Sequence, residues 1–424
     1  MFYDRDGIVI HHGDALDVLP TLAADSLDAV ICDPPYGLGF MGRAWDHGVP
    51  GVALWRDVLR VAKPGAFVLA FGGPRTFHRL AVAIEDAGFE LRDTIGWIYG
   101  SGFPKSLDVS KAIDKAAGAK REVAGRYQPP NGKAWNLADD RRGGGYGART
   151  GLRSANMDVT APATDAARRW SGWGTALKPA WEPIIVARKP LAGTVAENIL
   201  AYGTGGLNLD ACRIDVGEGD YDHPGNLEKR PMARTTYLAA DQGASKVTQA
   251  PPNALGRWPA NLIHDGSPDV LAVFPEECPT GKIARPSQRD RPSGYRYTGR
   301  YAAGFGDSGS AARFFYCAKA ATNERWSYCR ICGVAFYPDA WTAHQHGKPH
   351  GDHVFSHPTQ KPLALMKYLT TLAVQPGGAV LDPFMGTGTT LIAAGAAGCR
   401  AVGIERDVES CSIAVGRLAL PLGF

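Results

Sequence analysis

Leu27-Asp28-Ala29-Val30-Ile31-Cys32-Asp33-Pro34-Pro35-Tyr36 is an apolar run that stops at a carboxylate, two prolines and an aromatic ring. Such a run reads as a buried strand entering a rigid, exposed loop. Pro34 and Pro35 have a fixed φ and no N–H, so they hold Asp33 and Tyr36 in a set relation. The Asp33 carboxylate only accepts hydrogen bonds, the prolines offer carbonyls, and Tyr36 offers a flat face. Together they suit an amino group carried on a planar base. The structural alternative is a strand-end turn with an Asx cap.

A second anchor lies 350 positions away, counting from Tyr36 to Gly386. Ala379-Val380-Leu381 reads as a strand, followed by Asp382-Pro383-Phe384-Met385-Gly386-Thr387-Gly388-Thr389-Thr390. Leu391 to Ala397 reads as a helix, and Ala401 to Ile404 as the next strand, ending at Glu405. Gly386 and Gly388 let the backbone turn tightly and approach a ligand closely. Glu405 follows about twenty residues on, where an acid can take the two hydroxyls of a ribose. A third glycine opening the helix is missing, and Asp382 would repel a pyrophosphate. The Gly-Lys-Ser/Thr of a triphosphate loop is missing too. A nucleoside joined to a cationic centre and an amino acid fits better, which is the chemistry of S-adenosylmethionine.

Between the anchors the chain alternates. Gly7 to His12 reads as a strand ending at Gly13-Asp14, and Ala15 to Ala24 has helical spacing. Asp14 therefore stands at the carboxyl edge of a sheet, where open α/β folds bind ligands, and it also suits an N-cap. Val52 to Ala62 reads as a helix, Ala66 to Phe71 as a strand, Phe77 to Ala87 as a helix and Thr94 to Tyr99 as a strand. This repeat predicts a doubly wound α/β fold with a parallel sheet covered on both sides. Gly37 to Gly42, with Phe40 and Trp45 nearby, reads as a flap over the pocket.

From Gly100 the repeat is lost. A basic, glycine-rich tract runs from Gly118 to Trp173, with Tyr127, Trp135, Tyr146, Trp170 and Trp173 among its basic residues. That mixture suits base stacking and phosphate contact. Ile184 to Ala187 returns as a strand, and Thr194 to Tyr202 as a helix. A second turn-rich region spans Gly217 to Gly309 and carries Arg285, Arg289, Arg291, Arg296 and Arg300. Either region could read a nucleotide sequence.

The chain has 424 residues, with 52 glycines, 30 prolines and a net charge of +4. That length accommodates a full α/β core and smaller units. The eight cysteines sit largely in apolar runs, which suits reduced thiols and an intracellular, cytoplasmic setting. The start carries Asp4, Arg5 and Asp6 and no export-type apolar segment, and no apolar run is long enough for a membrane span.

Taken together, Asp33-Pro34-Pro35-Tyr36 early and Asp382 to Thr390 late resemble the amino-group DNA methyltransferases of the beta arrangement. In that family the catalytic loop comes first, the recognition region in the middle and the cofactor loop last. His357-Pro358-Thr359-Gln360-Lys361-Pro362, ahead of the helix Leu363 to Leu372, resembles the segment that closes over the cofactor's methionine part. The resemblance implies a mostly parallel seven-stranded methyltransferase sheet with loop-rich insertions. It implies S-adenosylmethionine as cofactor, held by Asp14, His357, Thr359, Lys361, Asp382, Phe384, Gly386, Gly388 and Glu405. It also implies double-stranded DNA as partner, a homodimer, and Asp33, Pro34 and Tyr36 as catalytic residues. Within the family Asp-Pro-Pro-Tyr goes mostly with adenine N6 and Ser-Pro-Pro-Tyr with cytosine N4, so Asp33 favours adenine. The alternatives are cytosine N4 methylation and a DNA-binding module without chemistry.

The expected organisation is a catalytic half over 1–100, a DNA-contacting insertion over 101–176 and a return to the core over 177–216. A candidate recognition insertion over 217–310, a candidate zinc-binding segment over 311–354 and the cofactor half over 355–424 complete it. Zinc enters through Cys329 and Cys332, two residues apart, followed after thirteen residues by His346 and after three more by His350. That spacing suits a small structural Cys2His2 site, which would let the segment fold without its own core. His344 gives a second possible spacing.

Overall fold

The computed structural model describes residues 1–38, 48–102, 106–126, 158–214, 256–275, 310–318, 327–329, 335–336, 354–356 and 360–419. Its strands are β1 (Tyr3–Arg5), β2 (Ile8–His12), β3 (Leu27–Cys32), β4 (Ala62–Phe71), β5 (Glu90–Ile98), β6 (Val123–Arg126), β7 (Asp158–Thr160) and β8 (Trp181–Arg188). They continue with β9 (Leu262–His264), β10 (Tyr316–Cys317), β11 (Ser327–Cys329), β12 (Ala335–Phe336), β13 (Val354–Ser356), β14 (Ala379–Asp382) and β15 (Arg400–Glu405). The helices include α1 (Ala15–Val18), α2 (Val52–Val61), α3 (Phe77–Asp86), α4 (Val109–Ala116), α5 (Asp165–Arg169), α6 (Val195–Tyr202), α7 (Leu363–Ala373), α8 (Thr389–Ala396) and α9 (Val408–Leu418), with a further single turn at Pro268–Leu271.

One sheet carries the core, in the order β1-β2-β15-β14-β3-β4-β8-β5-β9-β10. It is mixed α/β and mostly parallel, but it has ten strands where seven were expected. The added strands are short pieces at the two edges: β1 folds back on β2, and β9 and β10 extend beyond β5. The repeat in the first hundred residues also concealed one antiparallel strand. β8 returns after the insertion and wedges between β4 and β5, antiparallel to both.

Side chains alternate across the central strands, as a sheet buried on both faces requires. On one face Ala29, Ile31, Phe67, Leu69, Phe71, Ile184 and Val186 pack under α7 and α8. On the other, Val30, Cys32, Val68, Ala70, Ile185 and Ala187 pack under α2 and α3. α2 shows why it forms there: Leu54, Trp55, Val58 and Val61 recur at helical spacing and are all buried. Each such side chain contributes roughly 1.5–3 kcal/mol over its exposed state.

The expected helix over 15–24 is shorter. α1 has four residues and gives way to a 3₁₀ turn at Leu19–Thr21, where Pro20 lies. Of the expected strand Thr94 to Tyr99, Thr94 to Ile98 form the later part of β5, whose earlier residues Leu91 to Asp93 are exposed. Among the described residues no helix is long and apolar enough to cross a membrane. Among the described cysteines, Cys32, Cys212, Cys329, Cys399 and Cys411 are buried and Cys317 is exposed.

Candidate functional site

Strand order decides where the acids go. In a parallel array every strand delivers its last residue to the same edge, and β2, β15, β14 and β3 are consecutive neighbours. Asp14 follows β2, Glu405 ends β15, Asp382 ends β14 and Asp33 follows β3, so the four carboxylates stand in a row. The chain leaves β14 toward β15 on one side and β3 toward β4 on the other. This divergence is the switch point at which open α/β sheets bind ligands.

The glycine turn is shaped by its backbone. Gly386 and Gly388 have φ of 51° and 78°, the left-handed region. A Cβ on Gly388 would lie 2.8 Å from that of Ala414 on α9, so the turn packs directly on the helix. The Gly386 amide donates to Glu405 Oε2 at 2.9 Å, and the Asp407 amide to Oε1 at 2.8 Å. Burial pushes the Glu405 carboxyl up in pKa, against these bonds. Asp382 is 2% exposed, accepts from the Phe384 amide at 3.0 Å and from the Thr390 hydroxyl. Its pKa is raised to about 7, first by burial and then by the charges of Asp33 and Glu405. Asp14 caps α1, accepting from the Leu16 amide at 3.0 Å, and Arg406 lies 3.7 Å from its other oxygen.

Asp33 and Tyr36 sit in a closed polar cluster. The Tyr36 hydroxyl is 2.7 Å from Asp33 Oδ1 and also bonds Glu182 Oε1, from the start of β8. Lys361 Nζ reaches the same hydroxyl at 3.0 Å and Asp33 Oδ2 at 3.2 Å, and pairs closely with Glu182 Oε1. A phenol has one proton to donate, so it cannot serve both carboxylates at once. The Lys361 ammonium holds the second oxygen there. Burial lowers the Lys361 pKa, but Asp33 and Glu182 outweigh it and carry it above the ordinary lysine value. Burial and the same two acids push the Tyr36 phenol well up. The ammonium also lies over the rings of Phe71 at 4.7 Å, Tyr36 at 5.5 Å and Trp97 at 5.9 Å.

Support comes from the turn after β4. A Cβ on Gly73 would lie 3.1–3.2 Å from the Tyr36 side chain, and Thr76 Oγ1 donates to the Tyr36 carbonyl at 2.7 Å. The two anchors are joined by adjacent residues: Gln360 Nε2 donates to Thr387 Oγ1 at 2.8 Å while Lys361 reaches Asp33 and Tyr36.

The structure thus brings together Asp33, Pro34, Tyr36, Lys361, Asp382, Phe384, Gly386, Gly388, Glu405 and Asp14 along one edge. His357 and Thr359 lie outside the described residues, as do Phe40 and Trp45 of the expected flap. Glu182 is the residue that sequence reasoning missed. Its only signal was a glutamate opening an apolar strand, and no pattern tied it to a loop 146 positions earlier.

For the metal site, Cys329 is buried at the end of β11, whose partners β12 and β13 are both antiparallel. Cys332, His346 and His350 lie outside the described residues. No group of three metal-binding side chains occurs among the described residues. Of the aromatic tract, Trp170 and Trp173 are described; they are exposed and pack edge to face at 4.8 Å.

Comparison with known proteins gives three kinds of match. A family model described as DNA methylase matches residues 307–416. The Type II methyltransferase M.HindIII of Haemophilus influenzae is 45% identical over 293 residues, 58% of this chain and 77% of its own. The DNA adenine methyltransferase YhdJ of Escherichia coli is 43% identical over 67 residues, 16% of this chain and 23% of its own. Among solved structures, M1.HpyAVI aligns at 14% identity with a TM-score of 0.39, covering 98% of this chain and 100% of that one.

Proposed function

The chain belongs to the amino-group DNA methyltransferases, the N6-adenine and N4-cytosine family, and from that premise we propose that it methylates adenine N6 in double-stranded DNA. The observation that carries this reading is the join made by Gln360 and Lys361, which ties the glycine turn to the Asp33 loop. Two loops so coupled would hold a cofactor and a base side by side. Its Asp-Pro-Pro-Tyr loop, and the similarity to an adenine methyltransferase, favour adenine over cytosine.

S-adenosylmethionine, when bound, supplies a methyl group already activated by a positive sulfur. The acids fit it: Glu405 and Asp14 suit the nucleoside, and Asp382 suits positive charge. Phe384, Gly386 and Gly388 would shape the turn against it, and His357, Thr359 and Lys361 would close the methionine side. The base must leave the duplex, since its amino group is otherwise buried in pairing and stacking. Tyr36 would then stack on it. Asp33 and the Pro34 carbonyl would accept the amino hydrogens and turn the nitrogen lone pair toward the methyl carbon. Placement in line supplies most of the acceleration.

In this reading the seven strands from β2 to β5 form the methyltransferase sheet, and β1, β9 and β10 are additions at its edges. The insertions over 101–176 and 217–310 would contact DNA, and two copies would act as a homodimer in the cytoplasm. Cys329, Cys332, His346 and His350 would hold a structural zinc, which metal analysis of purified protein tests. The function itself is tested by incubating unmethylated DNA with methyl-labelled cofactor, digesting it and identifying the nucleoside. N6-methyladenine is expected; label in N4-methylcytosine, or none, would overturn the reading.

A further inference from the structure

We propose that Glu182 is a positioning residue of the methyl-transfer site, keeping Lys361 from neutralising Asp33 and leaving the pocket one negative charge in excess. The inference rests on the function proposed above. β8 is antiparallel to β4 and β5, so it delivers its first residues, not its last, to the edge where Asp33 stands. The Gly72 amide bonds the Pro183 carbonyl at 2.9 Å and fixes this end of β8 beside the turn after β4. Glu182, 7% exposed, thereby meets the Tyr36 hydroxyl and Lys361.

The charges explain the arrangement. Asp33 and Glu182 carry two negative charges, and Lys361 is the ammonium they share. Lys361 lies closer to Glu182 than to Asp33, which it reaches at 3.2 Å. With Glu182 absent, the ammonium now divided between the two acids would pair with Asp33 alone and hold more tightly the oxygens that must accept the amino hydrogens.

The excess charge has a use in the reaction. The amino nitrogen bonds to the methyl carbon as the carbon–sulfur bond breaks, its electron pair staying on sulfur. Positive charge passes to the nitrogen, which then loses one proton to the Asp33 carboxylate and so to solvent. A pocket with one surplus negative charge favours that cationic nitrogen.

The test uses the full-length protein and four forms: wild type, Glu182→Gln, Lys361→Met and the double variant. Glutamine keeps the shape and an acceptor oxygen of Glu182 but removes the charge. Glu182→Gln should lower kcat ~100-fold, the scale of a misplaced catalytic group. Its cofactor affinity by calorimetry and its melting temperature should stay close to wild type. The double variant has the wild-type sum of charges and should turn over faster than Glu182→Gln alone. Wild-type kcat in Glu182→Gln would overturn the proposal. Joint loss of kcat, cofactor binding and melting temperature would reduce Glu182 to a structural role and overturn it too, as would a double variant slower than either single one. A wild-type protein that methylates no DNA would instead overturn the underlying function, so the two failures are distinguishable.

Discussion

Two clusters of acids share one sheet edge, yet their electrostatics differ. Around Asp33 and Glu182 the compensating cation is part of the chain: Lys361 touches both, and its charge is firmly held. Around Asp382 and Glu405 the influences are burial, hydrogen bonds from amides and a hydroxyl, and neighbouring carboxylates, and both groups are raised. The Asp33 loop therefore carries a cation of the chain's own, which offsets one of its two negative charges, while under the proposed function the glycine turn would meet the positive charge of the cofactor. The same residue type does opposite work at two places, depending on whether the fold brings a lysine.

The sharpest way to break this comparison is Asp33→Ala. Under the proposed function Asp33 accepts the amino hydrogens, so losing it should cost ~10³-fold or more in turnover, with cofactor affinity near wild type. Methylation kinetics beside equilibrium cofactor binding would show it, and near-normal turnover would remove Asp33 from the chemistry.

Lys361→Met tests the Asp33 side through stability. It leaves Asp33 and Glu182 facing each other without their cation, a loss of about 3 kcal/mol by the usual cost of breaking a buried pair. Denaturant unfolding of the two proteins would measure it. An unchanged midpoint would mean that the lysine does not hold the acids.

Asp382 tests the other side through pH. Its carboxyl is raised to about 7, so the fraction ionised grows as pH climbs through that value. A cationic ligand binds the ionised form, so cofactor affinity should rise from pH 6 to 8 and level off above. The free protein should show the reverse: the contribution of this group to stability is full below the ordinary carboxylate value and is lost as pH rises through about 7. Asp382→Asn should weaken the cofactor and flatten both trends. Affinity measured across pH for the pair would contradict this if the slopes matched.

The smallest expected effect is Gly388→Ala. Its φ of 78° and the 2.8 Å approach to Ala414 make a methyl group costly, about 1–3 kcal/mol on the scale of backbone strain. A lower melting temperature with weakened cofactor binding is expected, and an unaltered protein would show that the turn tolerates a side chain.

The sequence made the two loops legible because each pairs a strand with residues that have few other uses together: two prolines after an acid, or two glycines before a helix. Alternation likewise exposed the doubly wound core. β8 was visible as a strand but not as an antiparallel wedge, since strand direction leaves no mark on an apolar run. Glu182 was invisible for the same reason: its role depends on which edge its end of the strand reaches. The edge strands β9 and β10, of three and two residues, are too short for periodicity to reveal.

The most direct measurement is single-turnover methylation of DNA at saturating labelled cofactor, with wild type and Asp33→Ala side by side and the labelled nucleoside identified. Label on adenine N6 that appears with wild type and vanishes with Asp33→Ala, while the cofactor still binds, is the expected result. Equal labelling by both proteins, or label on another atom, would contradict it.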